Sequence, residues 1–230
     1  MNKTAVILGL GPSLQSINKD IFNRKDITFF GVNRWDRCVP NIIPVGFEPE
    51  YWCFWDVTCY RQALIEYFTK VEYQGTVIHW GNMWPKNSAH HYEHPNIMLA
   101  GLPDVIPFKQ IGIHSTPEAE KIIKDLGTTF ACWSSSITAY AYALYMGFDN
   151  ILIAGQDYMT STQHKTYHAY PSNTDKHLLE HNPWVQLWDK VEIQYQTLKK
   201  AAERKGIKTY NITPDKTNVF YGIFEALEFK

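Results

Sequence analysis

The chain has 230 residues, which predicts one or two domains at about 150 residues per domain. Its 22 Lys and Arg residues nearly balance its 23 Asp and Glu residues, which excludes a broadly basic nucleic-acid binder and an acidic disordered tail. With 45% hydrophobic residues and only 13 Gly and 12 Pro, the composition is that of an ordinary globular protein and not of a low-complexity one.

Aromatic residues make up 15% of the chain, an unusually large share. Trp and Tyr fill cores, and they also form flat walls for sugar and base rings, so the excess suggests a ring-binding site. The four cysteines follow no metal-binding or redox spacing, which predicts reduced thiols. We expect a cytoplasmic protein, because the first apolar run, about six residues long, is too short for a signal peptide. We also expect no membrane span, because polar residues interrupt the uncharged stretch between Asp125 and Asp149.

Short apolar runs recur along the chain and predict strands buried in a parallel sheet. The first run, 4–9, ends in a glycine turn, and the second, 27–33, follows one helix length later. Further runs lie at 51–55, 75–80, 96–99, 150–154 and 208–212. Helical patterns separate several of these runs. This alternation predicts an α/β fold with a single Rossmann-like, doubly wound, mostly parallel sheet.

Two helices are predicted in the second half of the chain. Residues 135–148 place apolar side chains at three- and four-residue steps, after serines that can cap the helix. Residues 184–205 form a stronger amphipathic pattern, which Gly206 ends as a C-terminal cap. The polar stretch before this helix is long enough to predict a lid. We therefore expect one nucleotide-binding domain, residues 1–230, with a lid segment at 160–183.

A glycine turn with the sequence GLGPSL, residues 9–14, follows the first predicted strand. At the carboxyl end of a parallel strand and before a short helix, such a turn predicts an anion or nucleotide site, although a tight structural turn is the alternative. It is not a dinucleotide fingerprint, because Leu14 replaces the third glycine, and it lacks the Gly-Lys-Ser/Thr of a P-loop. The candidate ligand-binding residues of the turn are Gly9, Gly11, Pro12 and Ser13.

Polar residues also end three other predicted strands. Asn33 and Asp56 follow the second and third apolar runs, and Asp157 follows the run at 150–154. Because parallel strands end at one edge of the sheet, we expect all three near the glycine turn, as candidate nucleotide ligands. Turn formation is the alternative for Asn33 and for Asp56, since Asn and Asp commonly end strands. Asp157 is a candidate for the ribose hydroxyls.

Three serines, Ser134, Ser135 and Ser136, open the first predicted helix. Their hydroxyls and unpaired N–H groups are suited to a phosphate, whereas simple capping needs only one of them. Nine histidines include three pairs at i, i+4 spacing, at 90/94, 164/168 and 177/181. Such pairs can hold zinc on a helix, but Pro95 directly follows the first pair and no H-E-x-x-H motif is present. A histidine acting as general base is the better prediction, and we predict no metal centre.

The order and spacing of these motifs resemble a known group of enzymes. The glycine turn, Asn33, the Ser134–Ser135 pair and the sequence Gly155-x-Asp157-Tyr158 resemble the bacterial lipooligosaccharide sialyltransferases. They also resemble a related Rossmann-like family that includes 6-hydroxymethylpterin pyrophosphokinases. The resemblance spans most of the chain and is strongest at 3–14 and 133–158.

The resemblance implies a role for each matching residue. It assigns the binding of a cytidine monophosphate (CMP) sugar to Gly9, Gly11, Asn33, Ser134 and Ser135. It also implies that tyrosines stabilise the departing phosphate, namely Tyr158 and, in the lid, Tyr167 or Tyr170. The implied general base is a histidine before the last long helix, which is His181, with His168 as the alternative.

The leading hypothesis is a glycosyltransferase that moves a sugar from a nucleotide-activated donor to an acceptor hydroxyl and requires no cofactor. The acceptor would be a glycan or a small molecule, with a modified nucleic acid as a further alternative. The enzyme alternative is a pyrophosphokinase-like phosphotransferase with Mg²⁺ on Asp56 and Asp157. A third hypothesis is a nucleotide- or glycan-binding module without turnover. Exposed aromatic residues on a helix face would also suit a homo-oligomer.

Overall fold

The structure, a computed structural model, describes residues 3–54, 59, 62–63, 66–67, 70, 73–79, 97–99, 134–157, 168–170, 188–218 and 221–228. Within these residues, eight strands form one sheet, and every neighbouring pair is parallel. This confirms the predicted fold class. The strands are β1 (Thr4–Leu8), β2 (Ile27–Val32), β3 (Tyr51–Phe54), β4 (Thr76–His79), β5 (Ile97–Leu99), β6 (Asn150–Ala154), β7 (Lys208–Asn211) and β8 (Glu225–Ala226).

The apolar runs located the first seven strands to within one residue at each end. Strand β8 was not predicted. It contains only two residues, Glu225 and Ala226, and both are exposed. A strand of this length has neither an apolar run nor an alternating pattern, so nothing local marks it in the sequence.

The strand order places a crevice between β1 and β6. Across the sheet the order is β5-β4-β3-β2-β1-β6-β7-β8. The chain extends the sheet from β1 outwards to β5 and then returns, so that β6 pairs with the free side of β1. The direction of winding reverses at this point. In doubly wound sheets, ligands bind beyond the carboxyl ends of the strands at such a switch point.

Two α-helices, α1 (Ser135–Tyr145) and α2 (Trp188–Arg204), pack on one face of the sheet. Helix α1 ends three residues before the predicted position, because Gly147 adopts a left-handed φ of 74° there. Residues 184–187 of the second predicted helix lie outside the described residues. The first ten residues of α1 are all buried, which explains why this part of the sequence carries no charge. In the described part of the chain, no helix is long and apolar enough to cross a membrane.

The opposite face, here called the aromatic face, is covered by short 3₁₀ helices and aromatic side chains. The 3₁₀ helices span Pro12–Ser16, Lys19–Asn23 and Trp35–Cys38. Trp35 lies edge to face with Trp52, with 5.1 Å between the ring centroids. Many residues of the aromatic excess therefore serve packing. The other large aromatic residues in this cluster are Phe22, Phe29, Phe47, Phe54, Tyr67, Tyr73, Tyr170 and Tyr210.

Candidate functional site at the switch point

The glycine turn after β1 pairs directly with the turn after β6. The N–H of Gly9 donates to the carbonyl oxygen of Ala154 at 2.8 Å, and the N–H of Gly11 donates to that of Gly155 at 2.8 Å. Gly155 has a left-handed φ of 64°, which favours glycine at this position. The pairing of β1 with β6 thus continues beyond the strands and forms the floor of the crevice.

The glycines of the first turn are required by this close approach. A Cβ on Gly9 would lie 2.8 Å from the carbonyl oxygen of Ala154 and closer still to that of Gly155. A Cβ on Gly11 would lie 2.7 Å from two carbon atoms of Asp157. The packing between the two turns is therefore sufficient to explain both glycines.

Asp157 is buried in this packing, with only 3% of its surface exposed. One carboxylate oxygen, Oδ2, accepts the N–H of Ser13 at 2.6 Å, at the start of the Pro12–Ser16 helix. The side-chain amide of Asn218 donates to the other oxygen at 3.4 Å and to the Asp157 carbonyl at 3.0 Å. These bonds give Asp157 a structural role. Its predicted roles with ribose or Mg²⁺ stay predictions that the described contacts do not support.

Most N–H groups of the glycine turn already have partners. Those of Gly9, Gly11 and Ser13 donate to Ala154 at the end of β6 and to Gly155 and Asp157 in the turn after it, and that of Leu14 donates to the Gly11 carbonyl. Pro12 has no N–H, so among the described residues only Leu10 in this turn keeps an N–H without a partner. Direct anion binding by this turn stays a prediction, and its internal bonds argue against it.

Asn33 and Ser135 meet at the same edge, although 102 residues separate them in sequence. Asn33 follows β2 in a left-handed conformation with φ of 45°. Its backbone is held by Trp52, whose indole Nε1 donates to the Asn33 carbonyl at 2.6 Å. The hydroxyl of Ser135 donates to the side-chain Oδ1 of Asn33 at 2.5 Å. This bond fixes the amide, so that its NH₂ group is the part left for a ligand.

The other two serines of this turn have different environments. Ser134 caps α1, because its Oγ accepts the N–H of Ile137 at 3.2 Å and its carbonyl accepts that of Thr138 at 3.0 Å. Capping was the structural alternative for the serine turn, and here it applies to Ser134. Ser136 is buried in the first turn of the helix, and within the described residues its hydroxyl has no partner. Because Ser135, the first residue of α1, bonds Asn33, the N-terminus of α1 lies at the edge that carries Asn33.

Of the predicted lid, the structure describes residues 168–170, which dock on the glycine turn. The N–H of Ala169 donates to the Leu10 carbonyl at 2.8 Å, and the side chain of Gln15 donates to the Ala169 carbonyl at 3.3 Å. The Tyr170 ring stacks on that of His168 at 4.8 Å and packs into the aromatic face. Burial raises the pKa of the Tyr170 phenol. Its predicted contact with a departing phosphate stays a prediction that this burial does not support.

Sequence reasoning missed Arg34, which directly follows Asn33. Only 2% of its side chain is exposed, and its guanidinium forms ion pairs with Asp36 at 2.6 Å and Glu66 at 2.8 Å. Burial lowers the pKa of Arg34, but the bonds to these carboxylates outweigh it and raise the pKa above its usual value. The ion pairs anchor the chain just after Asn33. An arginine two residues before an aspartate at a strand end is the only local signal for this anchor.

Gln156, in the turn after β6, was also missed. Its side-chain Oε1 accepts the hydroxyl of Tyr195 from α2 at 2.8 Å. Both residues line an open pocket beside the carboxyl ends of β6 and β7, together with Asn211, Asn218 and Tyr221. The contact with Tyr195 ties the turn after β6 to helix α2.

Four predicted site residues lie outside the described residues: Asp56, Tyr158, Tyr167 and His181. Their predicted roles stay predictions. In the part of the chain that the structure describes, no group of three or more His, Cys, Asp or Glu side chains is placed to hold a metal ion.

The fold is similar to that of solved sialyltransferases. The structure of CstII from Campylobacter jejuni with cytidine-5'-monophosphate superimposes with a TM-score of 0.56 at 16% identity, over 99% of this chain and 88% of that one. A CstII structure with a trisaccharide acceptor and CMP gives a TM-score of 0.55 at 17% identity, over 97% of this chain and 86% of that one. The α-2,3-sialyltransferase Cst-I from Campylobacter jejuni gives 0.56 at 13% identity, over 100% and 83%.

No protein-family model and no curated protein matches this sequence. The likeness is therefore one of fold, and it extends over nearly the whole chain. The resemblance that the sequence motifs predicted is confirmed at this level. This chain has the fold of the Campylobacter sialyltransferases.

Proposed function

We propose that this protein is a glycosyltransferase that uses a CMP-activated sugar, in the manner of the sialyltransferases whose fold it has. The observation that carries the proposal is the hydrogen bond from Ser135 to Asn33, which joins two predicted donor-binding residues at the carboxyl edge of the sheet. The similar structures that contain CMP support a cytidine nucleotide as ligand. The acceptor trisaccharide in one of them supports a glycan acceptor.

The charges of the described residues favour one orientation of the donor. The turn after β1 already holds the carboxylate of Asp157, which would repel a phosphate. The N-terminus of α1 carries a partial positive charge, and the NH₂ group of Asn33 lies beside it. We therefore place the phosphate at α1 and Asn33, with the nucleoside towards the glycine turn.

In the proposed reaction, an acceptor hydroxyl attacks the anomeric carbon of the donor sugar. The new bond forms between the acceptor oxygen and this carbon, while the bond from the carbon to the phosphate oxygen breaks and CMP leaves. His181 takes the hydroxyl proton, and Tyr158 and Tyr167 donate hydrogen bonds to the leaving phosphate. The α1 N-terminus, the Asn33 amide and these hydroxyls together stabilise the phosphate charge, so the proposed reaction requires no metal.

Asn33→Asp tests the donor site. Aspartate has the same size and tolerates the left-handed backbone, and its carboxylate still accepts the Ser135 hydroxyl. It replaces the NH₂ donor with a negative charge beside the proposed phosphate, a loss of about 2 kcal/mol or roughly 30-fold in CMP affinity. Calorimetric titration with CMP and with cytidine measures this change. Because cytidine has no phosphate, Asn33→Asp should lower the affinity for cytidine much less than the affinity for CMP.

The matched control is Asn18→Asp. Asn18 caps the Lys19–Asn23 helix by accepting the N–H of Asp20 at 3.0 Å, and aspartate caps a helix equally well. This variant should bind CMP like the wild type. If Asn33→Asp also binds CMP like the wild type, the proposed donor site is wrong.

Turnover separates the three functional hypotheses. Incubation with CMP-sialic acid and a glycan acceptor should release CMP and yield a sialylated product, with and without EDTA. ATP consumption that EDTA abolishes and Mg²⁺ restores would instead identify the phosphotransferase. Tight CMP binding with neither transfer nor hydrolysis of the donor would identify a binding module.

A further inference from the structure

We infer that Asn218 is a positioning residue of the proposed donor site. From the loop between β7 and β8, it holds the carboxylate of Asp157 at the start of the Pro12–Ser16 helix, where this carboxylate serves as a built-in anion. The assignment rests on the proposed function for its effect on the donor, but the contact between the three loops is independent of it.

The chain of contacts runs through buried side chains. Asn218 donates from Nδ2 to the Asp157 carbonyl at 3.0 Å and to Oδ1 at 3.4 Å. Asp157 in turn accepts the N–H of Ser13 at 2.6 Å and packs against Gly11. The side chains of Ser13, Asp157 and Asn218 are each at least nine-tenths buried. A hydrogen bond to a buried carboxylate is stronger than a neutral one, so each contact constrains the next.

Thr213, in the same loop, makes a second contact with both turns. Its Oγ1 accepts the N–H of Gly155 at 2.8 Å and lies 3.2 Å from the hydroxyl of Ser13. The loop after β7 therefore holds the turn after β6 at two points, Gly155 and Asp157. Through them it sets the position of the glycine turn after β1.

The loop is held in shape by its own side chains. Asn211 accepts the N–H of Thr213 through Oδ1 at 3.0 Å, and Asp215 accepts that of Thr217 at 2.9 Å. The N–H of Asn218 donates to the Asp215 carbonyl at 3.0 Å. These local turns place the Asn218 amide before any ligand binds.

The built-in anion has a consequence for the ligand. A backbone N–H group in a turn can bind a phosphate oxygen only when no other acceptor occupies it. Here the Asp157 carboxylate occupies the N–H of Ser13, and Asn218 keeps it there. The glycine turn is thereby reserved for the uncharged nucleoside. Loss of Asn218 should consequently lower the affinities for cytidine and for CMP by the same factor. Asn33→Asp, in contrast, should lower the affinity for CMP more than that for cytidine.

Asn218→Ala tests the assignment, with Asn18→Ala as the matched control. Both variants remove a side-chain amide that makes a hydrogen bond. Asn18, however, caps the Lys19–Asn23 helix, which leads into the amino end of β2, whereas the proposed site lies at the carboxyl ends of the strands. We expect Asn218→Ala to raise the dissociation constants of CMP and of cytidine each about tenfold, and to speed hydrogen exchange of the Ser13 amide about tenfold. Asn18→Ala should leave all three unchanged.

Two results would overturn the assignment. One is an unchanged Ser13 exchange rate in Asn218→Ala, and the other is an equal loss of nucleotide affinity in both variants. If the wild-type protein binds neither CMP nor cytidine, the proposed function fails, whereas the exchange rate of Ser13 still decides the role of Asn218. Should Asn218→Ala fail to fold, nucleotide affinity and the Ser13 exchange rate are measured in Asn218→Ser instead. The serine hydroxyl is too short to reach Asp157, so this variant also removes the contact.

Discussion

Gly9→Ala is expected to destabilise the fold by about 3 kcal/mol, at the upper end of the range for an overpacked site. The added Cβ would meet backbone atoms of Ala154 and Gly155, which belong to the pairing between β1 and β6 and cannot turn aside as a side chain would. Relief requires separating β1 from β6. Urea unfolding of the wild type and the variant measures the loss as a lower midpoint.

Gly147→Ala is the matched comparison. Gly147 has a φ of 74°, and a Cβ there would have no neighbour within 4 Å. Alanine at this position adds backbone strain without a steric clash, at a cost of roughly 1–2 kcal/mol. If Gly9→Ala lowers the free energy of unfolding less than Gly147→Ala does, the two turns at the switch point are not packed as described.

His181→Ala is expected to have the largest effect on turnover, a loss of about 10²–10⁴-fold in kcat. The expectation follows from the proposed role of His181 as the base that takes the acceptor proton. CMP affinity should be unchanged, because the proposed contacts with the donor come from other residues. Initial rates with CMP-sialic acid, together with CMP titration, separate the two quantities.

His168→Ala serves as its comparison. The His168 ring stacks on Tyr170, and the neighbouring Ala169 is bonded to Leu10, so the described contacts of His168 favour a role in packing. This variant should keep kcat within about tenfold of the wild type, since the proposed general base, His181, is still present. Near-normal transfer by His181→Ala with loss of transfer by His168→Ala would reverse the assignment of the base.

The sheet and its edge were predictable because their signals are local. Each central strand is an apolar run that ends in a glycine or a polar residue, and parallel strands bring such ends together. This reasoning placed Asn33 at the edge that carries the glycine turn, and the family resemblance assigned Ser135 to the same site, where its hydroxyl bonds Asn33. It required no knowledge of which side chains touch.

The contacts that shape the turns were not predictable in the same way. Asp157 resembles a ligand in sequence, because a carboxylate at a strand end is a common ligand. Its partner, however, is a backbone N–H 144 residues away. Asn218 and Thr213 lie in a loop with no recognisable motif, and they act on turns that are 61 and 58 residues distant. Only the three-dimensional structure reveals such pairings.

The position of the crevice between β1 and β6 also constrains how the protein is made. Strand β1 pairs with a strand that begins 146 residues later, at Asn150, and the loop with Asn218 follows after β7. A chain emerging from the ribosome therefore contains most residues of the aromatic face long before it contains both strands of the switch point. Binding of a ligand there can stabilise the fold only after the loop with Asn218 has been synthesised, and until β6 has been made the unpaired side of β1 is an open strand edge.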